Sequence, residues 1–163
     1  MVVGNVIRRV NPEATAMRRL GMRHTSFPEA FGRLFLEDRR PVVVTGTHGK
    51  TSTTTLLAWL LHDVGENPGF LVGGIPANFP RSFAAGAPPW FVVEGDEYDT
   101  AYFDKGPKFL HYRPYHAILT SVEFDHADIF ADLDAVIRAF ERFVALVPAE
   151  GTLTVCGHEE LAV

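Results

Sequence analysis

The sequence predicts an α/β fold with a mostly parallel sheet flanked by helices. Three observations lead to this prediction: short apolar runs with the composition of buried strands, helical patterns between those runs, and polar clusters directly after three of them. Alternating strands and helices are typical of βαβ units, in which the strands run parallel. The 163 residues are enough for one domain with a buried core.

The predicted strands are continuous apolar runs rather than alternating ones, as expected for parallel strands that are covered on both faces. We predict strands at Val42–Thr45, within 69–82, at Phe91–Val93, at Ala117–Thr120 and at Thr152–Val155. In an open parallel sheet, ligands bind beyond the carboxyl ends of the strands. The residues that follow these strands are therefore the first candidates for a functional site.

Two short helices are predicted before the strand at Val42–Thr45. No predicted element is available to pack against the first of these helices. An N-cap and a first-turn proline at Asn11–Pro12 begin the first helix, which ends near Gly21. The second follows Ser26 and Glu29, which have the spacing of a capping box. Its apolar residues are predicted to share one helical face: Phe31, Leu34 and Phe35.

Two longer helices are predicted within the α/β region. One runs from Lys50 to about Val64, and the other runs from Leu133 to Val147 with apolar residues at helical spacing. The first of these is predicted to be largely buried, because apolar residues dominate its second half. They are Leu56, Leu57, Trp59, Leu60 and Leu61.

The composition is that of an ordinary globular protein, with 47% hydrophobic residues and a formal net charge of −5. No basic field favours nucleic acid or an anionic membrane as a partner, and no apolar run approaches the ~18 residues of a membrane span. Cys156 is the single cysteine, which excludes an intrachain disulfide and a cysteine metal cluster and favours the reducing cytoplasm. The seven histidines match no zinc-binding spacing.

The stretch VTGTHGKTSTTT follows the first predicted strand and has the composition of a phosphate-binding loop. Gly46 and Gly49 allow the backbone to turn its N–H groups inward at a helix N-terminus, Lys50 can reach a phosphate, and the Thr51 hydroxyl can ligate Mg²⁺. The spacing is two residues shorter than the common G-x-x-x-x-G-K-[ST] pattern. The alternative is a glycine turn whose Ser and Thr side chains only cap the helix.

The next polar cluster, EGDEYD, follows the strand at Phe91–Val93 and holds four carboxylates: Glu94, Asp96, Glu97 and Asp99. Crowded carboxylates repel one another, so a divalent cation is a natural neutraliser. Glu94 is the best single candidate for a ligand, because it follows the strand most closely. The alternative is a solvated acidic loop.

The last cluster, SVEFDHAD, follows the strand at Ala117–Thr120. It contains Glu123, Asp125, His126 and Asp128. His126 could ligate a metal or orient a phosphate, although Mg²⁺ prefers oxygen ligands. The alternative, a histidine with a structural role, stays open on the spacing alone.

These three clusters, in this order, resemble the Mur ligase family of ATP-dependent enzymes that form amide bonds. The strings GFLVGGIPANF and FVVEGDEYDTAYFDKGPKFLHYRP are similar to the members that join a murein tripeptide to UDP-N-acetylmuramate in peptidoglycan recycling. The similarity runs from about Gly4 to the end of the sequence. It implies a P-loop-type sheet that forms part of the family's central domain.

The resemblance also implies roles for individual residues, with ATP and Mg²⁺ as cofactors. Lys50 would hold the γ-phosphate, Thr51 would ligate one Mg²⁺, and Glu94 and His126 would ligate a second. Many relatives carry Asn at the position of Ser121, and the resemblance assigns that serine no role. The implied nucleotide-binding residues are Gly46, Thr47, His48, Gly49, Lys50, Thr51 and Ser52.

The implied reaction uses ATP to convert the lactyl carboxylate of the UDP-sugar into an acyl phosphate, which the amine of the tripeptide then attacks. By the same resemblance, residues 1–40 would be a helical lead-in from an N-terminal UDP-sugar domain, and 41–163 would be part of the central ATP-binding domain. The family's C-terminal domain would lie outside this chain, which alone would not complete turnover. Alternatives are another Mur ligase, a folylpolyglutamate-synthase-like ligase, a P-loop kinase and a nucleotide-binding module without chemistry.

Overall fold

A six-stranded sheet organises the chain in the computed structural model, which describes residues 1–124 and 130–157. The strands are β1 (Val2–Val3), β2 (Thr25–Ser26), β3 (Arg40–Thr45), β4 (Gly69–Leu71), β5 (Phe83–Ala84), β6 (Trp90–Glu94), β7 (Asp99–Ala101), β8 (Asp104–Pro107), β9 (His116–Leu119) and β10 (Thr152–Val155). The α-helices are α1 (Pro12–Arg19), α2 (Phe27–Phe31), α3 (Lys50–Asp63) and α4 (Leu133–Val144). The predicted strands and helices are thus confirmed within one or two residues of most of their ends.

The strand order of the main sheet is β10-β9-β3-β6-β4-β5. Strand β5 pairs with β4 in antiparallel fashion, and the other pairs described in this sheet are parallel. Strand β3 lies at the centre, with β6 on one side and β9 on the other. The predicted mostly parallel α/β sheet is therefore confirmed.

Helices cover both faces of the sheet, and the two faces form separate hydrophobic clusters. Because successive residues of a strand point to opposite faces, Val43 and Val44 of β3 belong to different clusters. The Val43 cluster includes α4 through Val136, Ala139, Phe140 and Phe143. The Val44 cluster includes α3 through Ala58, together with Phe70, Val72 and Val92. Both valines are fully buried, which explains why β3 is apolar without alternation.

Helix α3 packs on the sheet through one narrow stripe of buried residues, with Leu57 and Leu61 partly buried against the same cluster. Its buried residues are Lys50, Thr54 and Ala58, which follow one another at intervals of four and form one stripe. Leu56 and Leu60 are more than half exposed. The prediction of a largely buried helix is therefore wrong, because only this stripe is fully covered, while Leu57 and Leu61 are partly buried and Leu56 and Leu60 face outward.

The segment after α2 continues as a π-helix from Gly32 to Leu36. Backbone hydrogen bonds of a π-helix join residues five positions apart, and the buried side chains Phe31 and Leu36 have this spacing. Leu34 and Phe35 are exposed. The expectation that Phe31, Leu34 and Phe35 share one face is confirmed for Phe31 and Phe35, whose rings stack with centroids 5.3 Å apart, and is wrong for Leu34, which is 74% exposed.

The N-terminal segment is packed, contrary to the expectation that nothing covers its first helix. Met17 of α1 is fully buried, and β1 pairs with β2 in parallel. Arg18 donates a hydrogen bond to the Tyr102 hydroxyl (3.0 Å), and the ring of His24 meets that of Phe103 edge-on with centroids 4.8 Å apart. Tyr102 and Phe103 connect the antiparallel strands β7 and β8, so the segment docks on the tip of that hairpin.

Within residues 1–124 and 130–157, no helix is both long and apolar enough to cross a membrane. The longest of them, α3, has 14 residues and carries polar side chains along its first two turns.

The packing of α3 leads to a testable ranking of two substitutions. Ala58→Leu should lower the free energy of unfolding by about 1–3 kcal/mol, because the site against the sheet has no room for the larger side chain. Leu60→Ala should lower it by less than about 1 kcal/mol, because that side chain is half exposed. Chemical denaturation of both variants measures the difference, and the reverse ranking would contradict the packing described here.

Candidate functional site

The carboxyl ends of β3, β6 and β9 lie side by side, which confirms that the three polar clusters meet at one edge of the sheet. Val44 is opposite Glu94 of β6, and Thr45 is opposite Leu119 of β9. The Thr45 hydroxyl donates to the carbonyl oxygen of Gly95 (2.7 Å), which fixes the start of the acidic loop against the end of β3. The site is thus built on the central strand.

The turn between β3 and α3 needs glycine at two positions. Gly46 has φ of 130° and Gly49 has φ of 80°, both in the range that L side chains rarely adopt. A Cβ atom on Gly46 would overlap the Thr120 hydroxyl and lie 2.8 Å from the backbone of Ser121. The turn is therefore pressed directly against the segment that follows β9.

A set of hydrogen bonds joins this turn to the residues after β9. The N–H of Thr47 donates to the Ser121 carbonyl oxygen (2.9 Å), and the N–H of His48 donates to the Ser121 hydroxyl (3.0 Å). The Thr120 hydroxyl donates to the His48 carbonyl oxygen (2.5 Å), and the Glu123 N–H donates to the Thr47 hydroxyl (2.8 Å). Ser121, to which the resemblance assigned no role, thus holds two successive N–H groups of the turn.

The N-terminus of α3 differs from those of the other α-helices in the described ranges. The side chains of Asn11, Ser26 and Asp132 cap α1, α2 and α4, whereas no side chain there caps α3, whose N-cap is Gly49. The first N–H groups of an α-helix have no intrahelical partner. This observation disfavours the alternative in which Ser and Thr side chains satisfy those groups, and it favours an anion-binding N-terminus.

Lys50, the first residue of α3, is buried beneath the turn. Its ammonium group donates to the carbonyl oxygens of Gly46 (2.6 Å) and Thr47 (3.2 Å). It also lies 3.0 Å from one carboxylate oxygen of Glu97. The lysine therefore bridges the turn after β3 and the acidic loop after β6.

Glu94, at the end of β6, accepts two hydrogen bonds. One comes from the Thr51 hydroxyl (2.8 Å) and the other from the N–H of Gly73 (2.8 Å). Thr51 and Glu94, which the resemblance implies as ligands of two different Mg²⁺ ions, are therefore in direct contact. A pocket of about 300 Å³ adjoins this pair, lined by Thr51, Ser52, Thr55, Leu56, Gly74, Ile75, Pro76 and Asn78.

The four carboxylates of the acidic loop do not converge on one point. Three of them pair with lysines: Glu97 with Lys50 (3.0 Å), Asp96 with Lys108 (2.8 Å) and Asp99 with Lys105 (2.6 Å). Among the residues that the structure describes, no group of three histidine, cysteine or acidic side chains could hold a metal ion. The expectation that one cation neutralises the cluster is corrected, because lysines relieve the repulsion and leave Glu94 beside Thr51.

The structure describes eight of the nine predicted site residues. Gly46, Thr47, His48, Gly49, Lys50, Thr51 and Ser52 form the turn and the first turn of α3, and Glu94 faces them from β6. His126 lies outside the described residues, as do Asp125 and Asp128. The described part of the site is thus a helix N-terminus, a buried lysine and a hydroxyl–carboxylate pair.

Comparison with known proteins places this site in a family. Residues 44–162, most of the chain, match the model of the Mur ligase middle domain. The chain belongs to the Mur ligase family. The match begins within β3 and includes both the turn before α3 and the acidic loop.

Individual relatives are similar over almost the whole chain. UDP-N-acetylmuramate--L-alanyl-gamma-D-glutamyl-meso-2,6-diaminoheptandioate ligase of Haemophilus influenzae is 43% identical over 162 residues, which are 99% of this chain and 36% of the relative. The crystal structure of the corresponding ligase from Neisseria meningitides has a TM-score of 0.92 at 44% identity, covering 98% of this chain and 52% of that one. The chain spans about a third of the length of the curated relatives that it matches.

A more distant likeness concerns the fold alone. The structure of E. coli FolC in complex with ADP has a TM-score of 0.56 at 14% identity, covering 91% of this chain and 46% of that one. The Mur ligase sheet is thus similar to that of FolC, while the sequence similarity lies with the ligases above.

Sequence reasoning missed two contacts of this Mur ligase site. It gave Glu97 no partner other than a cation, and it gave Ser121 no role. Both contacts join residues far apart in the chain, 47 positions for Glu97 and Lys50 and 73 for Ser121 and His48. The sequence feature that came nearest to indicating the role of Ser121 was its position in the polar pair Thr120–Ser121, directly after a buried strand. The turn is two residues shorter than the common pattern, and the segment after β9 supplies hydrogen bonds that hold it.

The close contact at Gly46 leads to a second prediction. Gly46→Ala should lower the free energy of unfolding by about 3 kcal/mol or more, because a strained φ is combined with a collision against backbone. Gly65→Ala is the control, since Gly65 also has a positive φ of 88° but nothing within 4 Å of an added Cβ. Gly65→Ala should lower the free energy of unfolding by about 1–2 kcal/mol. Equal costs in chemical denaturation would contradict the contact with the segment after β9.

Proposed function

We propose that this chain is the ATP-binding part of a ligase that joins the murein tripeptide L-Ala-γ-D-Glu-meso-diaminopimelate to UDP-N-acetylmuramate. The observation that carries the proposal is the contact between Thr51 and Glu94 beside the uncapped N-terminus of α3. The 43% identity to the Haemophilus influenzae ligase, whose name specifies these two substrates, supports the choice of reaction.

The nucleotide fits the N-terminus of α3. Uncapped N–H groups and the positive end of the helix dipole favour a phosphate there, and glycine at positions 46 and 49 allows the backbone to approach it closely. Lys50 supplies the positive charge for the γ-phosphate. The Ser52 hydroxyl lies exposed in the first turn of the helix, where it can add a further contact.

Mg²⁺ fits the pair formed by Thr51 and Glu94. Both side chains offer oxygen atoms, which Mg²⁺ prefers, and these oxygens are 2.8 Å apart. Neighbouring ligands around an octahedral Mg²⁺ are separated by a similar distance, roughly 3.0 Å for bonds of about 2.1 Å. When bound, the metal neutralises charge that develops on the phosphates. By the resemblance, His126 joins Glu94 as a ligand of a second Mg²⁺.

The residues of the chain act by positioning and by electrostatics. Lys50 and the α3 N-terminus hold the γ-phosphate in line for attack by the lactyl carboxylate, which forms the acyl phosphate and releases ADP. The amine of the tripeptide then attacks the acyl carbon, and phosphate leaves as the amide forms and the amine gives up a proton. Such chemistry requires aligned reactants and stabilised charge rather than a covalent protein intermediate. The pocket beside Thr51, with Gly74 and Asn78 in its wall, suits the reactant that approaches the γ-phosphate.

The rest of the reaction requires parts beyond this chain. We assign residues 1–40 to the lead-in from a UDP-sugar domain and 41–163 to the central ATP-binding domain, with a C-terminal domain binding the tripeptide. The nucleotide and both small-molecule substrates belong to the cytoplasm, which is where we expect the enzyme to act. The proposed role of this chain is therefore nucleotide binding, and turnover belongs to the longer protein.

A calorimetric titration with a non-hydrolysable ATP analogue tests the nucleotide site. The 163-residue chain should bind the analogue in the presence of Mg²⁺, and Lys50→Ala should weaken binding by at least about 100-fold, because the ammonium charge on the phosphates is lost. Lys105→Ala is the control, since Lys105 pairs with Asp99 away from the turn. Binding that survives in Lys50→Ala, or that does not depend on Mg²⁺, would contradict the proposed site.

The acceptor distinguishes the proposed ligase from a kinase and from a folylpolyglutamate-type enzyme. In the full-length protein, release of phosphate from ATP should require both UDP-N-acetylmuramate and the tripeptide amine, and Glu94→Gln should reduce the rate by about 100-fold or more. Product analysis by mass spectrometry should show the UDP-linked tripeptide. Phosphate release without an amine, or a glutamylated folate product, would overturn the assignment. Turnover by the 163-residue chain alone would contradict the division into domains.

A further inference from the structure

Glu97 is a buried acid that the proposed reaction does not use. It is 3% exposed, and both of its carboxylate oxygens lie close to Lys50 Nζ, at 3.0 and 3.2 Å. Lys50 itself is 8% exposed. Burial of two charges is tolerated because they compensate each other. The closest charged neighbour of the lysine that is proposed to hold phosphate is therefore an anion of the protein itself.

The ammonium group of Lys50 has three N–H donors, and three acceptor groups surround it. These are the carbonyl oxygens of Gly46 (2.6 Å) and Thr47 (3.2 Å) and the carboxylate of Glu97 (3.0 Å). The two carbonyls belong to the turn that the residues after β9 hold in place. Of the three acceptors, the carboxylate resembles a phosphate oxygen in charge, so a bound phosphate and Glu97 require the same kind of interaction from the same cation.

We propose that Glu97 is a positioning residue that competes with the nucleotide phosphates for Lys50. This inference rests on the proposed nucleotide site. Without nucleotide, Glu97 keeps the buried lysine compensated and aimed at the turn. With nucleotide, the negative charge of Glu97 opposes the phosphates and makes their interaction with Lys50 weaker than it would be with an uncompensated lysine. Glu97 thereby limits the affinity of the site for ATP.

The neighbouring acids provide a matched control. Asp99 lies two residues further along the same loop and pairs with Lys105 (2.6 Å), whose side chain is largely exposed. Asp99→Asn therefore removes one negative charge from the loop without changing the surroundings of Lys50. Because exposed charges are screened by salt and buried pairs are screened much less, ionic strength also separates the two effects.

The experiment is calorimetric titration of the 163-residue chain with Mg²⁺ and a non-hydrolysable ATP analogue, at 0.15 and 0.5 M salt. Glu97→Gln should lower the dissociation constant by roughly tenfold, the order of effect of one poorly screened like charge, and should do so at both salt concentrations. Glu97→Asp keeps the charge but withdraws it from Lys50, so it should lower the constant by a smaller factor. Asp99→Asn should change it by less than about twofold.

The outcomes separate this inference from the proposed function. Binding by the unchanged chain, with Glu97→Gln and Glu97→Asp binding no more tightly, would overturn the competition and leave the nucleotide site standing. A lower Tm of Glu97→Gln with unchanged affinity would show that Glu97 has a structural role only. If Asp99→Asn tightened binding as much as Glu97→Gln, the cause would be the net charge of the loop, and the competition for Lys50 would be overturned. If Glu97→Gln does not fold, Glu97→Asp decides alone, because an unchanged constant overturns the inference. Absence of binding by the unchanged, folded chain overturns both proposals.

Discussion

The parallel pairing of β3 with β6 on one side and with β9 on the other brings the three polar loops of this Mur ligase chain to one edge of the sheet. The register matters as much as the pairing, because a slip by one residue would exchange the faces to which Val43 and Val44 point. Because residues 42–44 are all valine, hydrophobic packing alone would accept this slip. The fully buried Thr45, whose hydroxyl donates to the Gly95 carbonyl oxygen (2.7 Å), would lose that contact, so it fixes the register and how the turn before α3 meets Glu94 and Ser121.

The acidic side chains of the site have different partners, although they are neighbours in the sequence. Glu94, Asp96, Glu97 and Asp99 are close in sequence, but the chain leaves β6 and enters the β7–β8 hairpin between them. The lysines that pair with them are Lys50 of α3, Lys105 of the hairpin and Lys108, the first residue of a short 3₁₀ helix (Lys108–His111) after the hairpin. An acidic run therefore becomes a set of separate pairs, and one carboxylate stays beside the Thr51 hydroxyl.

The fold could be predicted to a large extent, and the site in part. The buried parallel strands could be predicted because each is a short run of apolar residues. The turn could be predicted because the glycines that it needs are present in GTHGKT. The exposed side of α3 could not be predicted, because Leu56 and Leu60 differ from buried leucines only in what covers them. The π-helical segment could not be predicted either, since it changes spacing without a change of composition. The pairs Lys50–Glu97 and His48–Ser121 depend on strand order, which no local pattern encodes.

The hydrogen bonds between the turn and the residues after β9 also bear on how a ligand would enter the site. Thr47 and His48 are held through both backbone and side-chain groups of the neighbouring segment, so the turn lost its conformational entropy when the chain folded. An anion that binds beside this turn, at the N-terminus of α3, meets uncapped N–H groups already in position and does not have to order a loop. The heat-capacity change of such binding should therefore be small, close to that of the surface covered by the ligand itself, without the large negative contribution that accompanies folding on binding.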